Sequence, residues 1–551
     1  MLHTPERTSV DTDAASMTHP ISLGLDFGTE SVRAVLVDST GKQHGTATVP
    51  YAHGQITSSL PGGSEPLPPH YALQAPQDWV DSAAEATRAA IAQAGITADR
   101  VIGVGVDFTS CTMLPTTRAG TPLCDLETFR GTALAWPKLW KHHGAMKQTA
   151  HMNEVATARN ESFLKRYGGT IGLEWFFPKM LETIEDAPEV AAAAEIWIEA
   201  GDWFVWQLVG GPADSLARST CQAGYKAMWS AAEGYPSQEY FSAVSPQLAA
   251  AVENCLPGEM RSPGERAGSL SDAMAERFGL APGIAVSTAI IDAHAAVPGV
   301  GAGDPGTLVM VMGTSSCHML NSHTLADITG VAGVVDGGIL PGLYGYETGQ
   351  AAVGDAFAWL RNLLGLESFD SLSESAMQLP PGAEGVTCLD WMNGCRTPLM
   401  DGELRGAFTG LGLHHSGEHL YLAMLEASAF GLRWIVELLR EGGVEINRLI
   451  ATGGLPHHNR AFIEVYADVI GCEIEIHPST QATAVGAAVL GMIAAGSQAS
   501  GFSEIAAAAT AMAAAPQSQF DVVSPRADRA EKYNGLYRRY RDLATAVADG
   551  L

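Results

Sequence analysis

The sequence has few basic residues: 32 lysines and arginines stand against 60 aspartates and glutamates in 551 residues, a formal net charge of −28. Such an acidic surface repels phosphate backbones and anionic headgroups, so nucleic acids and membrane surfaces are poor candidate partners. The chain also lacks a run of about 18 apolar residues, the length that spans a bilayer. Its first twenty residues, which include Glu6 and Asp11, lack the apolar core of a secretory signal. We therefore expect a cytoplasmic protein.

Paired cysteines and the common catalytic motifs are missing as well. The eight cysteines are scattered without a CxxC pair, so the pattern predicts neither a disulfide framework nor a zinc cage. There is no GxxxxGK[ST], HExxH or GxSxG sequence to indicate a P-loop enzyme, a zinc protease or a serine hydrolase. A match to GxGxxG at 301–306 contains a proline and precedes a predicted strand, unlike a dinucleotide-binding loop.

The composition indicates large, well-packed cores. Hydrophobic residues make up 46% of the chain and charged residues 17%. A chain of this length is expected to form two domains, and apolar strands alternate with helical segments, which is typical of the α/β class. Residues 1–20 are predicted to be frayed. A polar stretch that ends in Pro282-Gly283 predicts a boundary between an N-terminal domain, 21–283, and a C-terminal domain, 284–551.

One internal repeat is the most informative pattern in the chain. The segment LDFGTES at 25–31 has a counterpart, MVMGTSS, at 310–316, and in each an apolar strand enters and leaves a Gly-Thr turn. Two such hairpins, one in each half, predict a duplicated fold whose halves face one another across a cleft.

The chemistry of these hairpins suits a phosphate ligand. A glycine at a hairpin tip lets backbone N–H groups approach an anion, and the neighbouring hydroxyls add donors. Asp26, just before the first turn, would lie beside the phosphates, where a carboxylate is useful mainly for holding Mg²⁺ through waters. One such hairpin alone is more simply explained as a tight turn, but two in equivalent positions favour a binding function.

Two further patterns concern the nucleotide and the base. The Gly-Gly loop at 451–456 follows an apolar strand and precedes a helix, a setting that can hold a base or distal phosphates. A general base is needed to accept a proton from an alcohol that receives a phosphoryl group. Asp292 and Asp107, each at a strand end, are the candidates, and a helix N-cap is the simpler explanation of Asp292 from the residues alone.

Longer motifs recur in a fixed order between residues 21 and 495: GLDFGTESVR, VGVDFTSCTMLP, KLWKHH, EWFFPKML, AGDWFVWQL, CQAGYKAMW, IIDAHAAVPG, MVMGTSSCHM, YGYETGQAAVGDAFAWL, LDWMNG, ATGGLPHHN and QATAVGAAVLG. Together they resemble the FGGY carbohydrate kinases of the actin-like ATPase superfamily, and most closely the branch that phosphorylates ribulose. The resemblance implies two actin-like (ribonuclease H-like) domains that face each other across a catalytic cleft.

The resemblance also implies roles for individual residues. Asp292 would be the catalytic base, and Mg²⁺ would lie near Asp26. The residues implied to bind ATP or its phosphates are Asp26, Gly28, Thr29, Glu30, Gly313, Thr314, Ser315, Gly453, Gly454 and Asn459. The residues implied to bind the sugar are Lys226, Glu347, Ser110 and Cys111. Lysine donors and glutamate acceptors suit a polyol. His457-His458 departs from the basic residue that relatives often carry there, which leaves the nucleotide preference open.

The implied activity is transfer of the γ-phosphoryl of ATP to the 5-hydroxyl of L-ribulose, in L-arabinose catabolism. Another ketopentose or polyol, such as xylulose, D-ribulose or ribitol, is an open alternative as the substrate. A non-catalytic protein that binds ATP and sugar is a second, weaker alternative. The sequence leaves the oligomeric state open, with a homodimer as one expectation.

Overall fold

The computed structural model describes residues 19–550. Of the segment predicted to be frayed, residues 1–18 lie outside the described residues.

Within the described residues the strands are β1 (Ile21–Phe27), β2 (Ser31–Asp38), β3 (Gln43–Pro50), β4 (Val101–Phe108), β5 (Met113–Thr116), β6 (Ile196–Glu199), β7 (Ala217–Ser219), β8 (Glu259–Arg261), β9 (Arg266–Ser269), β10 (Ala285–Ser287), β11 (Ile290–Ile291), β12 (Thr307–Met312), β13 (Ser316–Ser322), β14 (Gly333–Asp336), β15 (Tyr344–Gln350), β16 (Thr387–Leu389), β17 (Ala407–Thr409), β18 (Arg448–Thr452), β19 (Ile474–Ile476) and β20 (Asp521–Val523).

The α-helices of the same part of the chain are α1 (Pro76–Ala94), α2 (Met146–Ala158), α3 (Phe176–Asp186), α4 (Pro188–Ala193), α5 (Ala200–Val209), α6 (Thr220–Lys226), α7 (Gln238–Val244), α8 (Pro246–Asn254), α9 (Asp272–Phe278), α10 (Asp292–Gly299), α11 (Gly354–Leu363), α12 (Asp370–Ala376), α13 (Gly417–Glu441), α14 (Gly454–His458), α15 (Arg460–Ile470), α16 (Ala482–Ala494), α17 (Ser497–Ser500), α18 (Ile505–Met512) and α19 (Ala527–Ala548).

Two large sheets repeat one topology. In the first sheet β1 pairs antiparallel with β2 and parallel with β4, and the order is β3-β2-β1-β4-β10-β9, with β11 also paired to β4. In the second sheet β12 pairs antiparallel with β13 and parallel with β18, and the order is β14-β15-β13-β12-β18-β19-β20. The duplicated α/β fold predicted from the two Gly-Thr hairpins is therefore confirmed, with one hairpin in each sheet.

Helices cover both faces of the first sheet, which explains why β1 and β4 are apolar nearly throughout. Alternate residues of β1, such as Leu23 and Leu25, pack in a core with α1 and α5. The intervening residues, Gly24 and then Asp26, face α16. Because side chains alternate along a strand, the same strand supplies both the core and the polar residue that points toward the cleft.

The α16 helix approaches the first sheet so closely that only glycine fits beneath it. A Cβ on Gly24 would lie 1.9 Å from the Ala484 carbonyl oxygen, and one on Gly105 would lie 1.7 Å from the Ala487 carbonyl oxygen. The alanine-rich helix is buried along most of its length. A late segment of the chain therefore packs directly onto strands formed by early segments.

The same helix crosses α10, which links the two sheets. A Cβ on Gly299 of α10 would lie 1.7 Å from the Ala482 carbonyl oxygen, and one on Gly486 of α16 would lie 1.8 Å from the Ala295 carbonyl oxygen. This backbone-to-backbone crossing is the main joint between the two halves. It places the N-termini of both helices at the edge of the first sheet where the predicted site residues lie.

The first sheet extends further along the chain than the boundary predicted at residue 283. The turn at Pro282-Gly283 connects α9 to β10, and both β10 and β11 pair with β4. The second sheet begins only at Thr307. No single helix within residues 19–550 is long and apolar enough to cross a membrane. The α16 helix and the segment after it together have the length and composition for a span, but the chain bends by 116° between them.

Candidate active site

The first predicted phosphate hairpin joins β1 to β2. The Gly28 N–H donates to the Ser31 carbonyl oxygen at 3.0 Å, and the Tyr51 hydroxyl donates to the Gly28 carbonyl oxygen at 3.1 Å. The exposed indole of Trp140 donates from Nε1 to Thr29 Oγ1 at 3.1 Å. Tyr51 and Trp140, both in the N-terminal half, thus hold the tip of this hairpin in place.

Glu30, the last residue of this turn, has an exposed side chain. Its carboxylate accepts a hydrogen bond from the Gln55 amide, and its carbonyl oxygen accepts one from the Tyr51 N–H at 2.9 Å. Its role toward the nucleotide stays a prediction, since its side chain is engaged with another loop.

The second hairpin joins β12 to β13 and is anchored by α11. The Gly313 N–H donates to the Ser315 carbonyl oxygen at 2.9 Å. At the start of α11, the Val353 N–H donates to the Thr314 carbonyl oxygen and the Gly354 N–H to the Gly313 carbonyl oxygen, each at 3.0 Å. Backbone donors of a helix N-terminus therefore fix this turn, in a way the sequence did not reveal.

The Gly-Gly loop lies against the second hairpin. Gly453 has a φ of +97°, and a Cβ there would lie 2.5 Å from the Met312 carbonyl oxygen. Both features require glycine at this position. Gly454 begins the short helix α14. The pairing of β18 with β12 thus places the predicted adenosine motif beside the second phosphate hairpin.

Asn459, predicted to bind the nucleotide, has a clear structural role in the fold. Its side chain caps α15 by accepting from the Phe462 N–H at 3.3 Å, and its amide donates to the Tyr421 hydroxyl at 2.7 Å. Because these contacts already use both ends of the amide, a direct contact with ATP stays a prediction.

Two carboxyls meet at the cleft edge of the first sheet. Asp26 accepts hydrogen bonds from Thr483 Oγ1 at 2.8 Å and from Arg33 at 3.4 Å. Asp107, its neighbour across the β1–β4 ladder, is fully buried, and neither of its carboxyl oxygens has a hydrogen-bond partner among the described residues. Burial, and then the charges of Asp26 and Asp292, raise the pKa of Asp107 well above its usual value.

This pair fits a divalent cation. Two ionised carboxyls in such contact repel each other, and the oxygens of Asp107 lack donors, so a cation would relieve both problems. Within residues 19–550 no group of three or more acidic, histidine or cysteine side chains is arranged to enclose a metal. A cation at Asp26 would therefore take its remaining ligands from water and phosphate oxygens, as Mg²⁺ commonly does.

Asp292 lies at the first position of α10, where β11 ends beside β4. The Ile290 and Ile291 pairs with Asp107 and Phe108 bring it to the same sheet edge. Asp292 Oδ1 accepts from the Ala293 N–H at 2.7 Å, so the residue does serve its own helix start. Asp292 is partly exposed, whereas Asp107 is fully buried, so Asp292 is the more accessible of the two residues.

The pKa of Asp292 is raised by its surroundings. Burial raises this pKa to about 7, opposed by the Ala293 N–H and by Lys226, and assisted by the charges of Asp26 and Glu347. A carboxyl with a pKa near neutrality suits proton transfer at physiological pH. Since the charges of Asp26, Lys226 and Glu347 act on Asp292, it lies among the residues predicted to bind the phosphates and the sugar.

A buried ion pair connects the two halves at the predicted sugar site. Lys226, the last residue of α6, donates from Nζ to Glu347 Oε1 at 3.1 Å and to Oε2 at 3.3 Å; the side chains are 6% and 3% exposed. Arg396 also donates to Glu347 Oε1, and His294 Nε2 lies 3.3 Å from Oε2. Glu347 is on β15 of the second sheet, so the pair joins the first half to the second.

The cations determine the ionisation of Glu347. Burial raises the pKa of this carboxyl, but the charges of Lys226 and Arg396 outweigh that effect and hold the pKa well below its usual value. Burial lowers the pKa of His294, so its imidazole is neutral at physiological pH. The site therefore presents an ionised carboxylate among fixed donors, as a polyol requires.

Ser110 and Cys111 follow β4 in the loop that borders this site. Cys111 is fully buried with a φ of +53°, a rare conformation for a residue other than glycine. Its carbonyl oxygen accepts from Lys179 Nζ at 2.8 Å, a contact between two buried groups. Ser110 Oγ is buried without a hydrogen-bond partner among the described residues. Their roles in sugar binding stay predictions.

Sequence reasoning did not identify Arg396, His294 or Trp140 as site residues. His294 and Trp140 lie within motifs that the resemblance covers, and Arg396 follows another by two positions. Their contacts join segments far apart in the chain, 49 residues in the case of Arg396 and Glu347. Only tertiary structure reveals such pairs.

Comparison with known proteins agrees with this fold. Solved structures with the same fold include a xylulose kinase from Rhodospirillum rubrum (TM-score 0.78, 23% identity, 96% of this chain and 99% of that one) and a glycerol kinase from Plasmodium falciparum with ADP (TM-score 0.74, 16% identity, 95% and 98%). Among curated sequences, ribulokinases from Halalkalibacterium halodurans (43% identity, 96% of this chain and 95% of the relative) and Mycolicibacterium smegmatis (41%, 95% and 93%) are similar over nearly their full length.

Family models match both halves. The N-terminal domain of the FGGY family of carbohydrate kinases matches residues 21–299, and its C-terminal domain matches residues 308–495. These two matches cover most of the chain; the first includes the strands of the first sheet, and the second includes those of the second sheet except β20. The chain therefore belongs to the FGGY family of carbohydrate kinases.

Proposed function

We propose that this protein is a ribulokinase, which transfers the γ-phosphoryl group of ATP to the 5-hydroxyl of L-ribulose and forms L-ribulose 5-phosphate for L-arabinose catabolism. The observation that supports this most is the similarity, at 40% identity or more over nearly the full length, to several curated ribulokinases. Two Gly-Thr hairpins, the partly exposed carboxyl of Asp292 and the buried Lys226–Glu347 pair support this proposal.

The two hairpins would hold the phosphates of ATP. The N–H groups of Gly28 and Gly313 bond within their own turns, so the hydroxyls of Thr29, Thr314 and Ser315 and the backbone N–H groups that follow each glycine would be the donors to the phosphates. Mg²⁺ bound near Asp26 would supply positive charge to the transferring group. Gly453 and Gly454 would lie against the adenosine, as expected from their position beside the second hairpin.

Asp292 would accept the proton of the sugar 5-hydroxyl. A positioned base raises the nucleophilicity of the oxygen as the phosphoryl group transfers. Asp292 begins α10 at the joint between the halves, so a small rotation there would move it relative to the hairpin of the second sheet. Closure around the sugar would also exclude water, which competes as an acceptor.

Lys226 and Glu347 would bind the ketose hydroxyls. In the structure they bind each other, yet Lys226 can donate one further hydrogen bond and Glu347 can accept more than it does. Ser110 and Cys111 would border the same hydroxyls. Because the pair spans the two halves, sugar binding here would also fix their relative position.

The decisive experiment is to incubate the purified protein with ATP, Mg²⁺ and a panel of sugars, and to identify the phosphorylated product by mass spectrometry and NMR. We expect L-ribulose 5-phosphate to form with the highest kcat/KM. A higher kcat/KM for xylulose, D-ribulose or ribitol would replace the substrate assignment but keep the kinase. ATP consumption that is independent of any sugar would contradict both and favour a non-catalytic binding protein.

The remaining expectations concern the protein's surroundings. A cytoplasmic location and the lack of nucleic-acid or membrane partners stay predictions from the net charge of −28. A homodimer is also a prediction, which light scattering of the purified protein would test.

A further inference from the structure

Three side chains beside the predicted sugar site carry buried polar atoms without hydrogen-bond partners among the described residues. They are both carboxyl oxygens of Glu199, the amide oxygen of Gln222 and the hydroxyl of Ser110. Glu199 is 3% exposed and Gln222 is 1% exposed. An unpaired buried polar group costs free energy, and folded proteins rarely leave several in one place without a ligand or water to satisfy them.

Glu199 adjoins the loop that borders the sugar site. It ends β6, directly opposite Met113 in the β5–β6 ribbon, and the Ala200 N–H donates to the Thr112 carbonyl oxygen at 2.6 Å. Burial, and then the charge of Glu199, raise the pKa of the Cys111 thiol, so the two side chains are neighbours. Glu199 thus lies beside the segment that directly follows the Ser110–Cys111 loop.

Gln222 connects Glu199 to the residues of the proposed sugar site. It lies one helical turn before Lys226 on α6, so the two side chains share a face of that helix. A Cβ on Gly201, two residues after Glu199, would lie 2.7 Å from the Gln222 amide nitrogen and 3.1 Å from the Cβ of Ala289, three residues before Asp292.

We propose that Glu199, Gln222 and Ser110 form a further wall of the ketose site and bind hydroxyl groups other than the one that reacts. The proposal rests on the proposed function to the extent that the ligand is a sugar. A carboxyl, an amide oxygen and a hydroxyl together match a polyol, in which each hydroxyl both donates and accepts. Such a wall distinguishes sugars by the direction of their hydroxyls, because a misdirected hydroxyl leaves a buried group unpaired.

The ionisation of Glu199 is compatible with this role. Burial, and then the charge of Asp202, raise the pKa of Glu199 to about 8, against the opposing charge of Lys179. At neutral pH the carboxyl therefore carries a proton for most of the time. A neutral carboxyl can donate one hydrogen bond to a sugar oxygen and accept another from a sugar hydroxyl.

The test measures sugar binding separately from catalysis. L-Ribulose is titrated into wild-type protein and into Glu199→Leu and Gln222→Leu variants by calorimetry without ATP, and steady-state constants are then measured with ATP and Mg²⁺. We expect the Kd and KM for L-ribulose to rise at least tenfold in each variant, while the KM for ATP stays the same and kcat changes less than threefold. An unchanged Kd in both variants would overturn the proposal and indicate buried water at these atoms.

Two controls keep the result interpretable. Glu426→Leu removes a glutamate that is equally buried but is paired with the Gly382 N–H and the Tyr533 hydroxyl, so it should lower stability without changing the Kd. If a leucine variant does not fold, judged by circular dichroism, Ser110→Ala gives the same test with a smaller change: a Kd raised at least threefold supports the wall, and an unchanged Kd overturns it.

The experiment also separates this proposal from the assignment of L-ribulose. If the wild-type protein prefers another pentose, the titrations are repeated with that sugar. A loss of affinity in the variants then supports the wall even though the substrate assignment has failed.

Discussion

Replacing Asp292 by asparagine keeps the size of the side chain and removes the carboxylate that would accept the hydroxyl proton. We expect kcat to fall by about 10²–10⁴, the usual scale for loss of a positioned base, with ATP affinity unchanged. A coupled ADP assay and a nucleotide titration measure the two quantities. Asp38→Asn is the matched control. Asp38 is also a buried aspartate, but it pairs with Ile21 at the end of β1 that is far from the hairpin. Near-normal turnover of the Asp292→Asn protein would refute the base assignment.

The raised pKa of Asp292 predicts a pH dependence. The base must be ionised to accept a proton, and burial raises its pKa to about 7. Below that pH the ionised fraction falls about tenfold per unit, so kcat/KM for the sugar should fall with it and level off at higher pH. The profile is measured from about pH 5.5 to 9 with saturating nucleotide and metal. If kcat/KM does not change with pH across this range, Asp292 is not the base.

At the residue scale, the sequence predicts those site residues that follow a pattern. The two hairpins repeat, and Asp292, Lys226 and Glu347 lie in extended motifs, so they could be named before the fold was known. Arg396 could not, because its contact with Glu347 depends on a loop that returns to β15. The unpaired oxygens of Asp107 were equally invisible, since pairing is a property of neighbours in space.

At the scale of elements, the crossing of α10 and α16 depends on two glycines. A Cβ at Gly486 would lie 1.8 Å from the Ala295 carbonyl oxygen, so Gly486→Ala must separate the helices. We expect a loss of about 2 kcal/mol or more in the free energy of unfolding, the scale of overpacking a tight contact. Urea denaturation measures this loss.

The control for that variant is Gly535→Ala in α19. Its nearest neighbour is the Arg538 guanidinium, 3.9 Å from an added Cβ, so the space is open. Alanine favours a helix over glycine by about 1 kcal/mol, and this variant should therefore be more stable than wild type. Equal effects of the two substitutions would contradict the tight crossing.

The sequence predicts most of these elements but not their close approach. The alternation of apolar strands and helices indicates the α/β class, and the alanine-rich character of α16 indicates a helix. Nothing local in the sequence shows that Gly24 and Gly105 lie beneath it. The boundary predicted at residue 283 also depends on local sequence alone. A polar turn with Pro282-Gly283 resembles a linker, although the strands that follow it, β10 and β11, pair with the first sheet.

At the scale of the whole molecule, the halves are joined by packing as well as by chain. The α16 helix follows all but the last of the second sheet's strands in sequence but covers the first sheet, and the Lys226–Glu347 ion pair bridges the two. We therefore expect the halves to unfold together. Tryptophan fluorescence reports mainly the first half, which contains eight of the eleven tryptophans, while far-UV circular dichroism reports both. Coincident urea midpoints are expected, and two separate midpoints would contradict this coupling.

The position of α16 in the chain has a consequence for biosynthesis. During translation β1 and β4 are synthesised early. The α16 helix, which covers their glycine-lined face, is synthesised only when most of the polypeptide has been made. Until then a nascent chain exposes that strip, together with Asp26, which later accepts the hydroxyl of Thr483. A product that terminates before α16 therefore lacks both the helix that packs on these strands and the Thr483 hydroxyl that donates to Asp26.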